Sequence, residues 1–174
     1  MDTATQGLAK EDVRKYLHRI CEEAKDLMQA YDPQLVLDWT KTNLAEGAAF
    51  QADIRIQKDG AHTGSVAMTL EKDDILQLGG LFGALAGKNG IADYSLDVKI
   101  KDVISHGADA ATVKATWHEH IVFQTPSGVD QDKEGRRITA DMEADCCHLL
   151  LREDGRLSIG LTLCSGEARL LSSD

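Results

Sequence analysis

Apolar residues at Val13, Leu17, Ile20, Cys21, Ala24, Leu27, Met28 and Tyr31 recur at the three-and-four spacing of one helix face, and Arg14, Lys15, His18, Arg19, Glu22, Glu23 and Asp26 fill the other side. The spacing predicts an amphipathic helix from about Leu8 to about Tyr31. Asp32-Pro33 then reads as an N-cap followed by proline at the first helical position. A second helix is predicted to carry Leu35, Val36, Trp39 and Leu44, with Gly47 as its stop.

Beyond Gly47 the period changes to two. Phe50, Ala52, Ile54 and Ile56 alternate with Gln51, Asp53, Arg55 and Gln57, the pattern of a half-buried strand. Lys58-Asp59-Gly60 turns the chain into a strand with Val66, Met68 and Leu70, so the pair reads as a hairpin. Asp73 or Asp74 caps a third predicted helix with Ile75, Leu78, Leu81, Phe82 and Leu85, which Gly87 ends. Gly79, Gly80 and Gly83 lie inside it, and each costs about 1 kcal/mol relative to alanine. That helix is expected either to pack closely or to move as a lid.

Alternation returns with Tyr94, Leu96, Val98 and Ile100, and after Gly107-Ala108-Asp109 with Val113, Ala115, Trp117, Ile121 and Phe123. A charged loop is expected from Pro126 to Gly135. Ile138, Ala140, Met142, Ala144, Cys146 and Leu150 mark a further strand, and Glu153-Asp154-Gly155 turns into a last one with Leu157, Ile159, Leu161 and Leu163. Short turns imply antiparallel pairing, and one apolar face per strand implies a sheet covered on one side by the helices. The expected fold is α+β: a curved antiparallel sheet of about six strands packed on N-terminal helices. Residues 1–174 read as one domain with its ordered core over about 8–169.

Composition adds little that is specific. The formal net charge is −10 and no cluster of Lys and Arg is present, which argues against nucleic acid and anionic membrane surfaces as partners. No apolar run is long enough to cross a bilayer. The four cysteines, Cys21, Cys146, Cys147 and Cys164, contain no C-x-x-C pair, so no zinc site is expected. They read as small buried hydrophobes or incidental thiols, which fits a reduced compartment. The chain reads as cytoplasmic if complete, or as exported if a leader has been trimmed.

The stretch from Asp32-Pro33-Gln34-Leu35 to Leu44-Ala45-Glu46-Gly47-Ala48-Ala49-Phe50, then Thr69-Leu70-Glu71-Lys72-Asp73-Asp74-Ile75, Tyr94, Asp109-Ala110-Ala111-Thr112-Val113 and Glu119, resembles uncharacterised bacterial members of the nuclear transport factor 2-like superfamily, also known as the cystatin-like or ketosteroid-isomerase-like cone. The resemblance implies a pocket between sheet and helices and a homodimer formed through the sheet. It also implies a range of roles, from isomerases, dehydratases and cyclases to non-catalytic binding modules, so it does not by itself give a function. The positions at which the isomerase branch carries its tyrosine and two acids fall near Ala24, near Gln51 to Asp53, and near Cys146. Tyr16 comes too early in the first helix and Asp53 sits on a polar face, so steroid-type proton transfer is not expected.

Two ionisable residues interrupt apolar faces. Glu119 shares a face with Val113, Ala115, Trp117, Ile121 and Phe123, and His148 shares one with Met142, Ala144, Cys146 and Leu150. A buried carboxylate with a nearby imidazole can act as an acid/base pair; equally, Glu119 can sit at a rim and His148 can be a hydrogen-bonded core residue. Tyr16, Trp39, Phe50, Tyr94, Trp117, Met142 and Cys146 are candidates to line a pocket for a small apolar molecule, or are plain core. His118 and His120 project from the same side of a strand, on a polar face with no third metal ligand identifiable in the sequence. Two functions remain: a binding or accessory module without cofactor, and a cofactor-free isomerase, dehydratase or cyclase using Glu119 and His148.

Overall fold

The computed structural model describes residues 7–30, 32–77, 90–124 and 137–173. Two helices, α1 (Lys10–Ala30) and α2 (Pro33–Asn43), precede β1 (Leu44–Lys58), β2 (Ala61–Glu71), β3 (Ile91–Ser105), β4 (Ala110–Gln124), β5 (Arg137–Glu153) and β6 (Arg156–Ser173). Residues 72–77 are helical, where the third helix was expected. Its glycine-rich remainder and the Pro126–Gly135 loop lie outside the described residues. No described helix is long and apolar enough to cross a membrane.

The strands form one sheet of order β2-β1-β6-β5-β4-β3. Neighbours are antiparallel except β1 and β6, which run parallel. The other pairs adjoin in sequence, whereas β1 and β6 meet only after the whole intervening chain, so no short turn fixes their relative direction. The sheet is therefore mixed rather than wholly antiparallel.

α1 lies across the inner face of this sheet. Val13, Tyr16, Leu17 and Ile20 pack with Leu8, Val103, Ala111, Val113 and Leu150, all buried. A second group, Cys21, Val98 and Ala115, continues the contact along β3 and β4. The chain entering α1 is fixed by Leu8 N donating to Gly107 O and Ser105 Oγ donating to Leu8 O. Asp32 caps α2 as expected, its Oδ1 accepting from Gln34 N at 2.8 Å, with Pro33 in the first turn.

Both Asp-Gly turns form as expected. Asp59 and Gly60, and likewise Asp154 and Gly155, all have positive φ, the geometry that lets a two-residue hairpin follow the strand twist. Gly47 is a correction. α2 ends at Asn43, and Gly47, at φ 72°, lies inside β1 where the register against β6 shifts between Leu44 and Ala49. It serves a bulge rather than a helix stop.

Two further bulges change which side chains face inward. In β3 the register shifts between Ile100 and Asp102, so Val103 rather than Asp102 enters the core, and the Asp102 carboxylate accepts from Val103 N. In β6 a shift opposite Leu149/Leu150 leaves Ile159 inside but turns Leu161 and Leu163 outward. The expected face of Leu157, Ile159, Leu161 and Leu163 is thus split, and Thr162, Cys164 and Gly166 hold the inner positions beyond the bulge.

Cys146 and Cys164 are register partners on that inner face and form a disulfide, with Cα atoms 4.2 Å apart. This corrects their reading as hydrophobes or incidental thiols. The pairing depends on a β5–β6 register that cysteine spacing does not encode. Cys21 and Cys147 are free.

Leu17→Ala, at a fully buried position on the α1 stripe, is expected to lower unfolding free energy by about 2–5 kcal/mol in denaturant titration. At Gly166 a Cβ would collide with Glu143 O and the Ala144 backbone. Gly166→Ala is therefore expected to destabilise by about 1–3 kcal/mol in the same assay, through overpacking between β5 and β6.

Candidate functional site

β4 presents Val113, Ala115, Trp117 and Glu119 to the inner face in sequence, because alternate residues of a strand share a side. At Trp117 the apolar interior meets a short polar chain. The indole Nε1 donates to His148 Nε2 at 2.8 Å, and His148 Nδ1 lies 2.9 Å from Thr162 Oγ1. An indole N–H can only donate, so Nε2 must hold the lone pair and Nδ1 the proton, which it gives to Thr162. The two rings meet edge to face with centroids 5.7 Å apart. Burial lowers the His148 pKa to about 4, since it takes the charged ring out of water.

Glu119 lies farther along the same face. Its Oε1 accepts from Tyr94 Oη at 2.9 Å. Burial raises the Glu119 pKa above the usual carboxylate range, and the Tyr94 hydroxyl offsets this in part. Tyr94 is itself held protonated by burial and by the carboxylate it faces. This acid–phenol pair is an ionisable contact on the inner face at which a proton can be held or donated.

β4 and β5 are adjacent, yet they keep Glu119 and His148 apart. Glu119 is opposite Met142 and His148 is opposite Val113. Six strand positions separate the two places on the ladder, roughly 20 Å at the rise of an extended chain. The expected approach of acid and imidazole is therefore corrected. Glu119 pairs with Tyr94, and His148 uses both nitrogens on Trp117 and Thr162.

The expected pocket residues do not gather around one cavity. Tyr16 belongs to the closed core, with Oη donating to Asn43 O at 3.3 Å and the Arg19 guanidinium over its ring. Trp39 donates to Glu23 and borders a groove between α1 and α2. Cys146 is in the disulfide. Phe50, Trp117 and Met142 are half-buried on the inner face, where Tyr94 is buried. Thr162 escaped notice in the sequence because strict alternation assigns it to the polar side. The one available signal was Gly160, since a glycine inside a strand often marks a bulge.

Among the described residues the β2 edge of the inner face is less completely buried. Met68 pairs with Ala52 and Val66 with Ile54, and these two β2 side chains remain 36% and 40% exposed. Ile54 is half-buried beside Val66, and towards the other side of the sheet Ile121, opposite Tyr94, and Met142, opposite Glu119, are half-buried as well. On the opposite face of the sheet lies an open groove of about 680 Å³ bordered by His118, His120 and several carboxylates. Among the described residues, no three His, Cys, Asp or Glu side chains stand together as a ready metal centre.

His148 gives a signed pH dependence. Its folded pKa lies below the ordinary 6.5, so the unfolded chain takes up a proton first as pH falls. Stability is expected to drop between pH 6.5 and about 4, by on the order of 2–3 kcal/mol from this group. His148→Phe is expected to be less stable at pH 7, because Trp117 and Thr162 lose their partner, but to show a shallower acid slope in denaturant titrations. Glu119 has the opposite sign: its folded form holds a proton more tightly, so its contribution is lost as pH rises through the folded pKa. Glu119→Gln keeps an acceptor for Tyr94 and is expected to raise the melting temperature at pH 7–8.

No family model and no curated protein matches the chain. Solved structures do. A nuclear transport factor 2-like protein of unknown function from Pseudomonas aeruginosa matches with TM-score 0.57 and 17% identity, covering 88% of this chain and 97% of that one. A nuclear transport factor 2-like superfamily protein from Salmonella enterica gives 0.52 and 15%, with 91% and 94% covered. The β subunit of benzoate 1,2-dioxygenase from Burkholderia mallei gives 0.54 and 13%, with 95% and 93% covered. These likenesses extend over nearly the whole chain and meet the strand order already described, so the chain has the nuclear transport factor 2-like cone fold.

Proposed function

We propose that the chain is a binding or accessory module whose inner sheet face receives a small, mainly apolar molecule anchored by Tyr94 and Glu119. The observation that carries this reading is the contrast along one face. Around Val113 and Leu150 α1 fills the inner face, and His148 is consumed by Trp117 and Thr162. Along β3, β4 and β5 the half-buried Ile121 and Met142 stand opposite the two members of a single acid–phenol pair, Tyr94 and Glu119. A mostly apolar surface with one placed polar pair is the usual composition of a small-molecule site. That the same cone forms the β subunit of a dioxygenase supports an accessory role as well. Self-association through the sheet, which the family resemblance implies, would use the outer face around Leu163 and Leu171, which are 42% and 49% exposed.

A second reading is favoured by the raised Glu119 pKa: a cofactor-free isomerase, dehydratase or cyclase in which Glu119 is the acid or base and Tyr94 its positioning donor. His148 has no part in it, because neither ring nitrogen is free.

Native mass spectrometry of the purified chain is expected to find a small apolar molecule bound, and an anilinonaphthalene sulfonate dye is expected to compete for the same face. Tyr94→Phe and Glu119→Gln are expected to weaken binding of that molecule by about tenfold, the cost of one buried hydrogen bond. A chain that carries no molecule and binds no dye would remove the proposal. Turnover of the bound molecule that is abolished in Glu119→Gln would favour the enzyme reading over the accessory one.

A further inference from the structure

The outer face of the sheet carries a second constellation, independent of Tyr94 and Glu119. His118 and His120 stand two apart on β4 and leave the same side of the strand. β5 places Glu143 opposite His118 and Asp141 opposite His120, while β3 places Asp97 opposite His118 on its other flank. The sequence offered the two imidazoles but no third ligand. The register supplies carboxylates from both neighbouring strands.

The ring orientations carry the argument further. His118 Nδ1 lies 3.4 Å from Glu143 Oε2, and His120 Nδ1 is hydrogen-bonded to Asp141 Oδ1. An ionised carboxylate has only acceptors, so the nitrogen facing it carries the proton. In a neutral ring the remaining nitrogen, Nε2, then keeps its lone pair. A carboxylate on one ring nitrogen and a free lone pair on the other is the arrangement that orients histidine ligands in metal sites and raises their basicity. Both side chains border the 680 Å³ groove, where carboxylates outnumber the guanidiniums of Arg55 and Arg169. The local field therefore favours a cation.

We propose that this face binds one first-row divalent metal ion of the zinc class through His118 Nε2, His120 Nε2 and the Asp97 carboxylate, with Glu143 and Asp141 as positioning residues. Side chains two apart on a strand start about 7 Å apart at the backbone, and two imidazoles converging from that separation share one ion at about 2.0–2.1 Å each. Asp97, directly across from His118, starts about 5 Å from it at Cβ. Three protein ligands of this kind leave a fourth position to water. Closure requires only side-chain rotation, since His118 and His120 are 46% and 37% exposed. Borderline imidazole and carboxylate donors suit zinc, cobalt or nickel and disfavour magnesium or calcium, which take all-oxygen shells.

The test is calorimetric titration of the tag-free, metal-stripped chain with Zn²⁺, with Co²⁺ absorption reporting coordination geometry. The expected result is one ion per chain at micromolar affinity or better, with a four- or five-coordinate Co²⁺ spectrum. His118→Asn, His120→Asn and Asp97→Asn should each weaken binding at least about tenfold, as should the paired Asp141→Ala/Glu143→Ala variant, which removes the acceptors facing both Nδ1 atoms. Melting temperatures without metal should be nearly unchanged, because these side chains lie at the surface. Absence of binding, or binding that survives loss of both histidines, would overturn the proposal. Full affinity in Asp97→Asn would overturn the three-residue site.

Discussion

The contact on which the rest depends is the apolar stripe of α1 laid along the inner face of the sheet. A sheet with one oily side must bury it, and a long amphipathic helix is what this chain provides. Val13, Leu17 and Ile20 meet Val103, Val113 and Leu150, and Cys21 meets Val98 and Ala115 farther along. That contact gives the sheet an inside and an outside. Each strand residue then acquires a chemical environment from its parity. Glu119 is perturbed because it faces in, and His118 and His120, one residue to either side, remain half-exposed because they face out.

Polar groups on the inner face are tolerated only where they are matched. Trp117, His148 and Thr162 form a chain that engages both ring nitrogens of His148, so His148 is a neutral structural residue. Tyr94 and Glu119 are matched to each other, with the half-buried Ile121 and Met142 as their cross-strand neighbours. The difference between them is in spare capacity: the first chain has no ring nitrogen left for another partner, while the carboxyl group of Glu119 has a second oxygen. The same sheet thus separates a polar element that holds the fold from one suited to a ligand. On its other side it displays an array of imidazoles and carboxylates that the inner site does not use.

Most of the architecture was legible because α1 and most strands keep clean periods. The α1 stripe, the Asp32 cap and the Asp-Gly turns each rest on local chemistry, and each formed where the sequence placed it. What local pattern missed came from bulges and from pairing at a distance. Gly47 and Gly160 shift strand parity, so the helix stop and the face of the last strand were misread. The Glu119–Tyr94 pair needed the β3–β4 register, and the separation of Glu119 from His148 needed the β4–β5 register.

The sequence by itself determined the order of helices and strands, the face on which Glu119, Trp117 and His148 lie, and the polar side of His118 and His120. These follow from periodicity, which acts within a few residues. Only the tertiary structure decided that β1 runs parallel to β6, that Cys146 meets Cys164, that Thr162 and Trp117 close around His148, and that Asp97, Asp141 and Glu143 flank the outer histidines. Those are matters of register between strands far apart in the chain, and register is set by the summed fit of whole faces against α1 and against one another rather than by any local run of residues.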